Sequence, residues 1–271
     1  VKNKGDVKMK LLIIILFLMA VPLSLSFGET AEKSQPLTIQ IVYDNNEFDP
    51  DLTPEWGFSC FIKGKEKTLL FDTGGNGKTL LSNMEKLKIK PEEVDLVVLS
   101  HIHGDHTGGL EEFLKKNNQV KVYLPESFPS GLKKGIKKAG AQYAEVKKPT
   151  EICKDVFSTG EMGTLIKEQS LIIKTEKGLV VITGCAHPGI VKIVRKAKEL
   201  HKEDVYLVMG GFHLLSTSKK GIDTIVAEFK NMGVKKAAPC HCSGELCQEI
   251  FEQNYKEDYV RLGVGARVEV E

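Results

Sequence analysis

The sequence has no surplus of either charge. Its 38 Lys and Arg stand against 36 Asp and Glu, a formal net charge of +2. Four Lys and one Asp fall in the first 28 residues, so the remainder carries −1. A chain that binds nucleic acid as its main partner concentrates basic charge on a patch or stripe, and no nucleic-acid partner is expected here. The lysine pairs at 133–134, 137–138 and 147–148 read as solvated helix faces and loops. Cysteine is also sparse. Six in 271 residues are too few for a disulfide scaffold, although Cys240 and Cys247 are close enough in sequence to pair in an oxidising compartment. Neither a short-period repeat nor a linker divides the chain after its N-terminal segment. With 41% hydrophobic and 27% charged residues, the composition is that of a globular protein.

An unbroken apolar run, Leu11 to Val21, follows Lys8 and Lys10 and precedes Pro22 and the small residues Ser24 and Ser26. A basic flank, a short apolar core and a small-x-small site make a secretory signal peptide. The core is shorter than the roughly 20 residues that span a bilayer. The expectation is a signal peptide over 1–26, a flexible lead-in over 27–36 and a folded domain over 37–271. The protein would then be exported, periplasmic or extracellular, and touch the membrane only through an uncleaved signal peptide.

From Leu37 the pattern is that of alternating strands and helices. Strands are expected over 37–43, 58–62, 68–71, 94–100, 120–124, 170–175, 179–183, 205–209, 235–239, 260–264 and 266–270. Helices are expected over 79–87, 107–116, 133–139, 190–201 and 224–232. Lys177-Gly178 reads as a hairpin turn. Hairpins opening each half and βα units closing it imply two stacked sheets with helices outside.

The chemistry concentrates in Ser100-His-Ile-His-Gly-Asp-His-Thr-Gly-Gly109, which follows a buried strand. His101 and His103 are two apart and project to one side of an extended segment. Asp105 and His106 open the next helix and return to the same space. Imidazole nitrogens and carboxylate oxygens are the usual ligands of zinc in hydrolytic sites. Three of the seven His of the chain lie within the six residues 101–106.

His-x-His-x-Asp-His after a strand resembles the signature of the metallo-β-lactamase superfamily. The resemblance covers about 37–271 and implies an α/β fold, a four-layer αββα sandwich with metals at the mouth between the sheets. It implies that His101 and His103 hold one metal with a third His, and that Asp105 and His106 hold a second with His241. Asp72, in Asp72-Thr73-Gly74, matches an early strand-end Asp that orients a ligand His. Gly184-Cys-Ala-His-Pro-Gly189 supplies His187 as the third His, and Pro239-Cys-His-Cys-Ser-Gly244 supplies His241. With Gly210-Gly-Phe-His-Leu214, this set is similar to one branch in particular. That branch comprises metal-dependent hydrolases related to the dihydropterin–aminobenzene phosphate synthases.

The chain departs from the family pattern in one place. Most members have a ligand His before a hairpin and a bridging Asp after it; here Glu168-Gln169-Ser170 and Cys185 occupy those places. Either the Cys185 thiolate replaces the carboxylate as a ligand, or the bridge is absent. His213 is open to a role as ligand or as the acid that protonates a leaving group. The expected cofactor is zinc, one or two ions, with iron or manganese as alternatives. The expected partner is a small-molecule substrate, an ester, phosphoester or lactam hydrolysed by water that a metal activates, with Asp105 and His213 as the catalytic pair. A pterin-phosphate synthase and a non-catalytic metal-binding protein are the competing readings. Trp56, Phe58 and Phe212 are expected to line the pocket, and His201 to lie on the surface.

Overall fold

The computed structural model describes Val1 and residues 36–271. The expected signal peptide and nearly all of the lead-in lie outside the described residues. The strands are β1 (Leu37–Asp44), β2 (Phe58–Lys63), β3 (Leu69–Phe71), β4 (Leu96–Val98), β5 (Lys121–Pro125), β6 (Gln142–Val146), β7 (Thr150–Cys153), β8 (Val156–Ser158), β9 (Leu171–Thr175), β10 (Gly178–Thr183), β11 (Val205–Gly211), β12 (Lys236–Cys240) and β13 (Arg267–Val270). The helices are α1 (Gly77–Lys86), α2 (Gly104–Thr107), α3 (Leu110–Lys116), α4 (Ser130–Lys138), α5 (Ile190–His201), α6 (Lys219–Asn231) and α7 (Glu245–Tyr255).

Two sheets form, in the orders β13-β1-β2-β3-β4-β5-β6 and β12-β11-β10-β9-β8-β7. Each sheet opens with antiparallel pairs and continues with parallel ones, and β13 closes the first sheet antiparallel to β1. In the first, β1, β2 and β3 alternate and β3 through β6 run parallel. In the second, β7 through β10 alternate and β10, β11 and β12 run parallel. The central parallel strands β4, β10 and β11 are buried almost throughout, which is why they read as near-continuous apolar runs. On β10, Val180 and Ile182 enter the core between the sheets, while Leu179 and Val181 meet α5, α6 and α7 outside. A matching outer core joins Leu70, Val97 and Leu99 to Leu80 and Met84 of α1 and Phe113 of α3. The four layers are therefore helix, sheet, sheet, helix, as the resemblance implied.

Several details differ from the sequence reading. Residues 260–264 form no strand; Val264 makes one isolated bridge to Glu47. The helix expected over 107–116 is divided into α2 and α3, because the Gly109 amide turns aside to donate to the Gly74 carbonyl at 3.1 Å. The strands β6, β7 and β8 and the helix α7 were not foreseen. Phe58 and Phe212 do not line a pocket. Both are fully buried, Phe58 between the sheets and Phe212 against Phe229 and Phe251. Burying such a side chain stabilises the fold by about 1.5–3 kcal/mol, and strand direction, not nearness to a loop, decides where it points. His201 is half-buried, with its ring 4.6 Å from that of Phe157. Cys240 and Cys247 are free, one in the inter-sheet core and the other in the outer core, with the second sheet between them.

Candidate metal centre

Every expected site residue lies just past the C-terminal end of a strand: Asp72 after β3, His101 to His106 after β4, Cys185 and His187 after β10, His213 after β11, His241 after β12. This is where open α/β sheets place their ligands. The turns that present these residues are locally strained. Asp72, Ala186, His213 and His241 all adopt left-handed backbone, with φ between 49° and 59°. For non-glycine residues such conformations cost of order 1–3 kcal/mol and persist only where the surroundings fix them.

Two clusters converge. The ligand atoms of His101, His103 and His187 lie within 4.8 Å of one another, and so do those of Asp105, His106 and His241. In the first cluster, His101 Nε2 is 3.1 Å from His103 Nδ1, and the His187 ring stands 4.7 and 4.8 Å from those of His101 and His103. In the second, His106 Nε2 is 3.2 Å from His241 Nε2, and Asp105 Oδ2 is 3.7 and 3.4 Å from those two nitrogens. Cys185 lies between the clusters, its Sγ 3.2 Å from His106 Nε2.

Hydrogen bonds behind the rings fix which nitrogen faces the mouth. His106 Nδ1 meets Asp72 Oδ2 at 2.7 Å, and His241 Nδ1 meets Asn45 Oδ1 at 2.7 Å. His101 Nδ1 meets Ser100 Oγ at 2.9 Å, and that hydroxyl donates to Asp72 Oδ2 at 2.6 Å. The Ser100 amide donates to Asp72 Oδ1 at 2.6 Å. Nε2 is thus left free on all three rings, the arrangement that partners behind a metal-ligating His produce. Gly184 is required at this point: a Cβ there would strike Ser100 Oγ and come within 3.0 Å of Asp72 Oδ2.

A carboxylate not singled out as functional organises the loop that carries His187. Glu168 is fully buried and accepts from the amides of Cys185 (3.0 Å), Ala186 (2.8 Å) and His187 (2.8 Å). The stretch 168–170, which the family resemblance sets in place of a ligand His, thus uses Glu168 to hold backbone. Burial raises its pKa, and the three amides oppose the rise.

The electrostatics suit a cation. Burial pushes the His101 pKa down, and the imidazoles around it push the same way. Burial, with His213 and His103 nearby, lowers His187 to about 4. Burial works to lower His106 as well, but Asp72 overcomes it and the pKa rises. Burial would raise Asp105, yet its hydrogen bond with His241 and the charge of His106 hold it low. Bonds of about 2.0–2.1 Å at tetrahedral angles place neighbouring ligand atoms about 3.3–3.4 Å apart. The contacts of 3.1–3.7 Å among these nitrogens and Asp105 Oδ2 fit that spacing. His187 Nε2 is buried with no hydrogen-bond partner, as befits an atom whose partner is an ion.

His213 is exposed, and its ring lies 4.4 Å from that of His187. A hydrogen bond with the Cys242 sulfur raises its pKa, against burial. Trp56, 50% exposed, rests its ring 4.9 Å from the His241 ring, and of the three expected pocket residues it alone stands at the mouth. The sequence reading missed Asn45; its only signal was the polar run Asp44-Asn45-Asn46 at the end of β1.

Imidazoles and a carboxylate gathered at the open edge of an αββα sandwich define a class of metal-dependent enzymes, and comparison with known proteins agrees. The profile of the metallo-beta-lactamase superfamily matches residues 53–195. The chain is 32% identical to the 7,8-dihydropterin-6-methyl-4-(beta-D-ribofuranosyl)-aminobenzene-5'-phosphate synthase of Methanocaldococcus jannaschii, over 79% of this chain and 90% of that one. Among solved structures it is similar to a metal-dependent hydrolase of the beta-lactamase superfamily, with 29% identity and a TM-score of 0.73, over 86% of this chain and 99% of that one. The short form of human tRNase Z, 12% identical with a TM-score of 0.60, shares the fold over 86% of this chain and 99% of its own. The chain belongs to the metallo-beta-lactamase superfamily.

Proposed function

We propose that the protein is a metal-dependent hydrolase of small molecules that carry an ester, phosphoester or lactam bond. The observation that carries this reading is the convergence of two three-ligand clusters on one mouth, with His213 at its edge. The similar solved structure described as a metal-dependent hydrolase supports it. His101, His103 and His187 would hold one zinc ion and Asp105, His106 and His241 a second, and the metal would make hydroxide available near neutral pH and polarise the bond to be broken. Asp105, held ionised by His241 and His106, accepts a proton at its carboxylate. His213, its pKa raised by Cys242, carries a proton to the leaving group. Asp72, Ser100 and Asn45 hold the rings in register, and Trp56 offers substrate a flat apolar face. The basic flank and apolar run near Leu11 support an exported location.

The test is turnover of an ester, phosphodiester and lactam panel by zinc-loaded protein, beside His103→Ala and Asp105→Ala variants whose fold is checked by circular dichroism. Hydrolysis lost in both folded variants supports the reading; a panel untouched by the wild type sinks it. A second reading is favoured by the 32% identity across 90% of the dihydropterin synthase, and by Cys185 standing where most relatives have a bridging Asp. On that reading the same centre joins a dihydropterin to an aminobenzene riboside phosphate. Product formed from those two reactants, but not by His103→Ala, would select it.

A further inference from the structure

Cys242 is a buried nucleophile that neither cluster needs. It follows β12, Cys185 follows β10, and β11 runs between them. The two residues are 57 apart in sequence, yet Sγ of Cys185, Sγ of Cys242 and a ring nitrogen of His241 all lie within 4.8 Å of one another. Cys242 Sγ is 3.8 Å from the Cys185 carbonyl oxygen. What lets them meet across the intervening strand is Gly211 at the end of β11. A Cβ at that position would come within 2.7 Å of Cys242 Sγ and 3.2 Å of Cys185 Cα.

The other cysteines lack this setting. Cys60 and Cys240 are sealed in the core between the sheets, and Cys247 is in the outer core. Cys153 is half-buried on β7, the far edge of the second sheet. The Cys185–Cys242 pair instead lies beside the metal mouth: the ligand atoms of Cys185, His187 and exposed His213 lie within 4.8 Å of one another, as do those of Cys185, Cys242 and His241.

We propose that Cys185 and Cys242 form a reversible disulfide that disables the second metal cluster. The oxidant is hydrogen peroxide, small enough to enter the mouth. One sulfur attacks a peroxide oxygen, the O–O bond breaks, and a sulfenic acid and one water form. The second sulfur attacks the sulfenic sulfur, the S–S bond forms, and the departing hydroxide leaves as a second water with the remaining thiol proton. Two thiols are oxidised, one hydrogen peroxide is reduced, and no further reactant is needed. A disulfide brings the sulfurs to about 2.05 Å. That draws Cys185 Sγ away from its place 3.2 Å from His106 Nε2 and removes a sulfur donor from the space between the clusters. Any thiol reductant restores the pair.

The experiment treats the full chain, metal-free and zinc-loaded, with hydrogen peroxide and reads three quantities other than turnover. These are intact mass, free thiols under denaturation and zinc released to a colorimetric chelator. The expected result is the loss of two hydrogens and of two of the six thiols, a peptide cross-linked between Cys185 and Cys242, and zinc release reversed by dithiothreitol. In Cys242→Ser the cross-link vanishes, and with it the zinc release that dithiothreitol reverses in the wild type. Mass that rises by whole oxygens with no loss of hydrogen, or a cross-link between other cysteines, overturns the proposal. Because cross-linking is read by mass, the switch stands or falls separately from the hydrolase reading.

Discussion

His106 and His241 are each clamped from behind by a polar side chain, buried Asp72 for one and half-buried Asn45 for the other, whereas His187 Nε2 has no such partner. The second cluster is thus held ring by ring. The first depends for its third ligand on a loop, and that loop is fixed by Glu168 acting on three consecutive amides. Ring clamps select a tautomer and keep one nitrogen free. A backbone clamp sets only where the Cα sits and leaves the ring to find its own orientation. The second cluster is therefore organised before a ligand arrives, and the first is completed by it.

The strongest way to test that contrast is to remove a clamped ring. His106→Ala should abolish turnover, by more than about a hundredfold, and halve the zinc bound per chain as measured by plasma emission. Equal loss from both clusters would erase the distinction. Next, Asp72→Asn keeps the shape but weakens the acceptor behind His106, and should lower zinc affinity at the second cluster by about 10–100-fold. Competition with a chelator of known affinity measures it, and an unchanged constant would deny Asp72 its orienting role. Glu168→Ala should act differently. It leaves three buried amides without an acceptor, each worth about 1–3 kcal/mol, so the melting temperature falls along with first-cluster affinity. Glu168→Gln, which retains one carbonyl oxygen, should recover part of both. A loss of affinity with no change in melting would place Glu168 on the ion and not on the loop.

The smallest effect concerns pH in metal-free protein. His187 titrates at about 4, against 6.5 for a free imidazole, because it is buried among other imidazoles. Between those values the unfolded chain binds more protons than the folded one, so stability falls as pH drops through the window. His101 acts in the same sense, and His106, raised by Asp72, in the opposite one. Thermal denaturation with chelator present should show a flatter profile from pH 6.5 to about 4 in His187→Gln than in wild type. Parallel profiles would mean that His187 does not carry the shift.

Much of this architecture was legible from residue type and period. The central parallel strands announced themselves as apolar runs because both of their faces are covered, and α5 matched its reading over Ile190–His201. The ligand candidates stood out because His and Asp so close together after a buried strand have few structural uses. The rest depended on contacts between distant segments. Nothing at Asn45 indicates that His241, 196 residues later, will lean on it. Glu168 was noticed as a departure from the family pattern, but its partners are backbone amides, which leave no trace in side-chain spacing. Phe58 and Phe212 were misplaced because closeness to a loop says nothing of which face a side chain takes. β6 escaped notice because its edge position leaves most of Gln142 to Glu145 partly or fully exposed, without a clean alternation.

The Asp72 carboxylate has one further consequence. A single oxygen, Oδ2, receives both His106 and the Ser100 hydroxyl, and that hydroxyl reaches His101 in the other cluster. Charge drawn toward one end of this relay is withdrawn from the other. Occupancy of the two clusters is therefore linked, and the coupling acts equally in both directions. Filling the His106 side pulls electron density from Ser100, makes the His101 ring a poorer donor, and sets the two affinities apart. A titration with divalent ion should then follow an anticooperative curve, with one ion held well after the other has been stripped away.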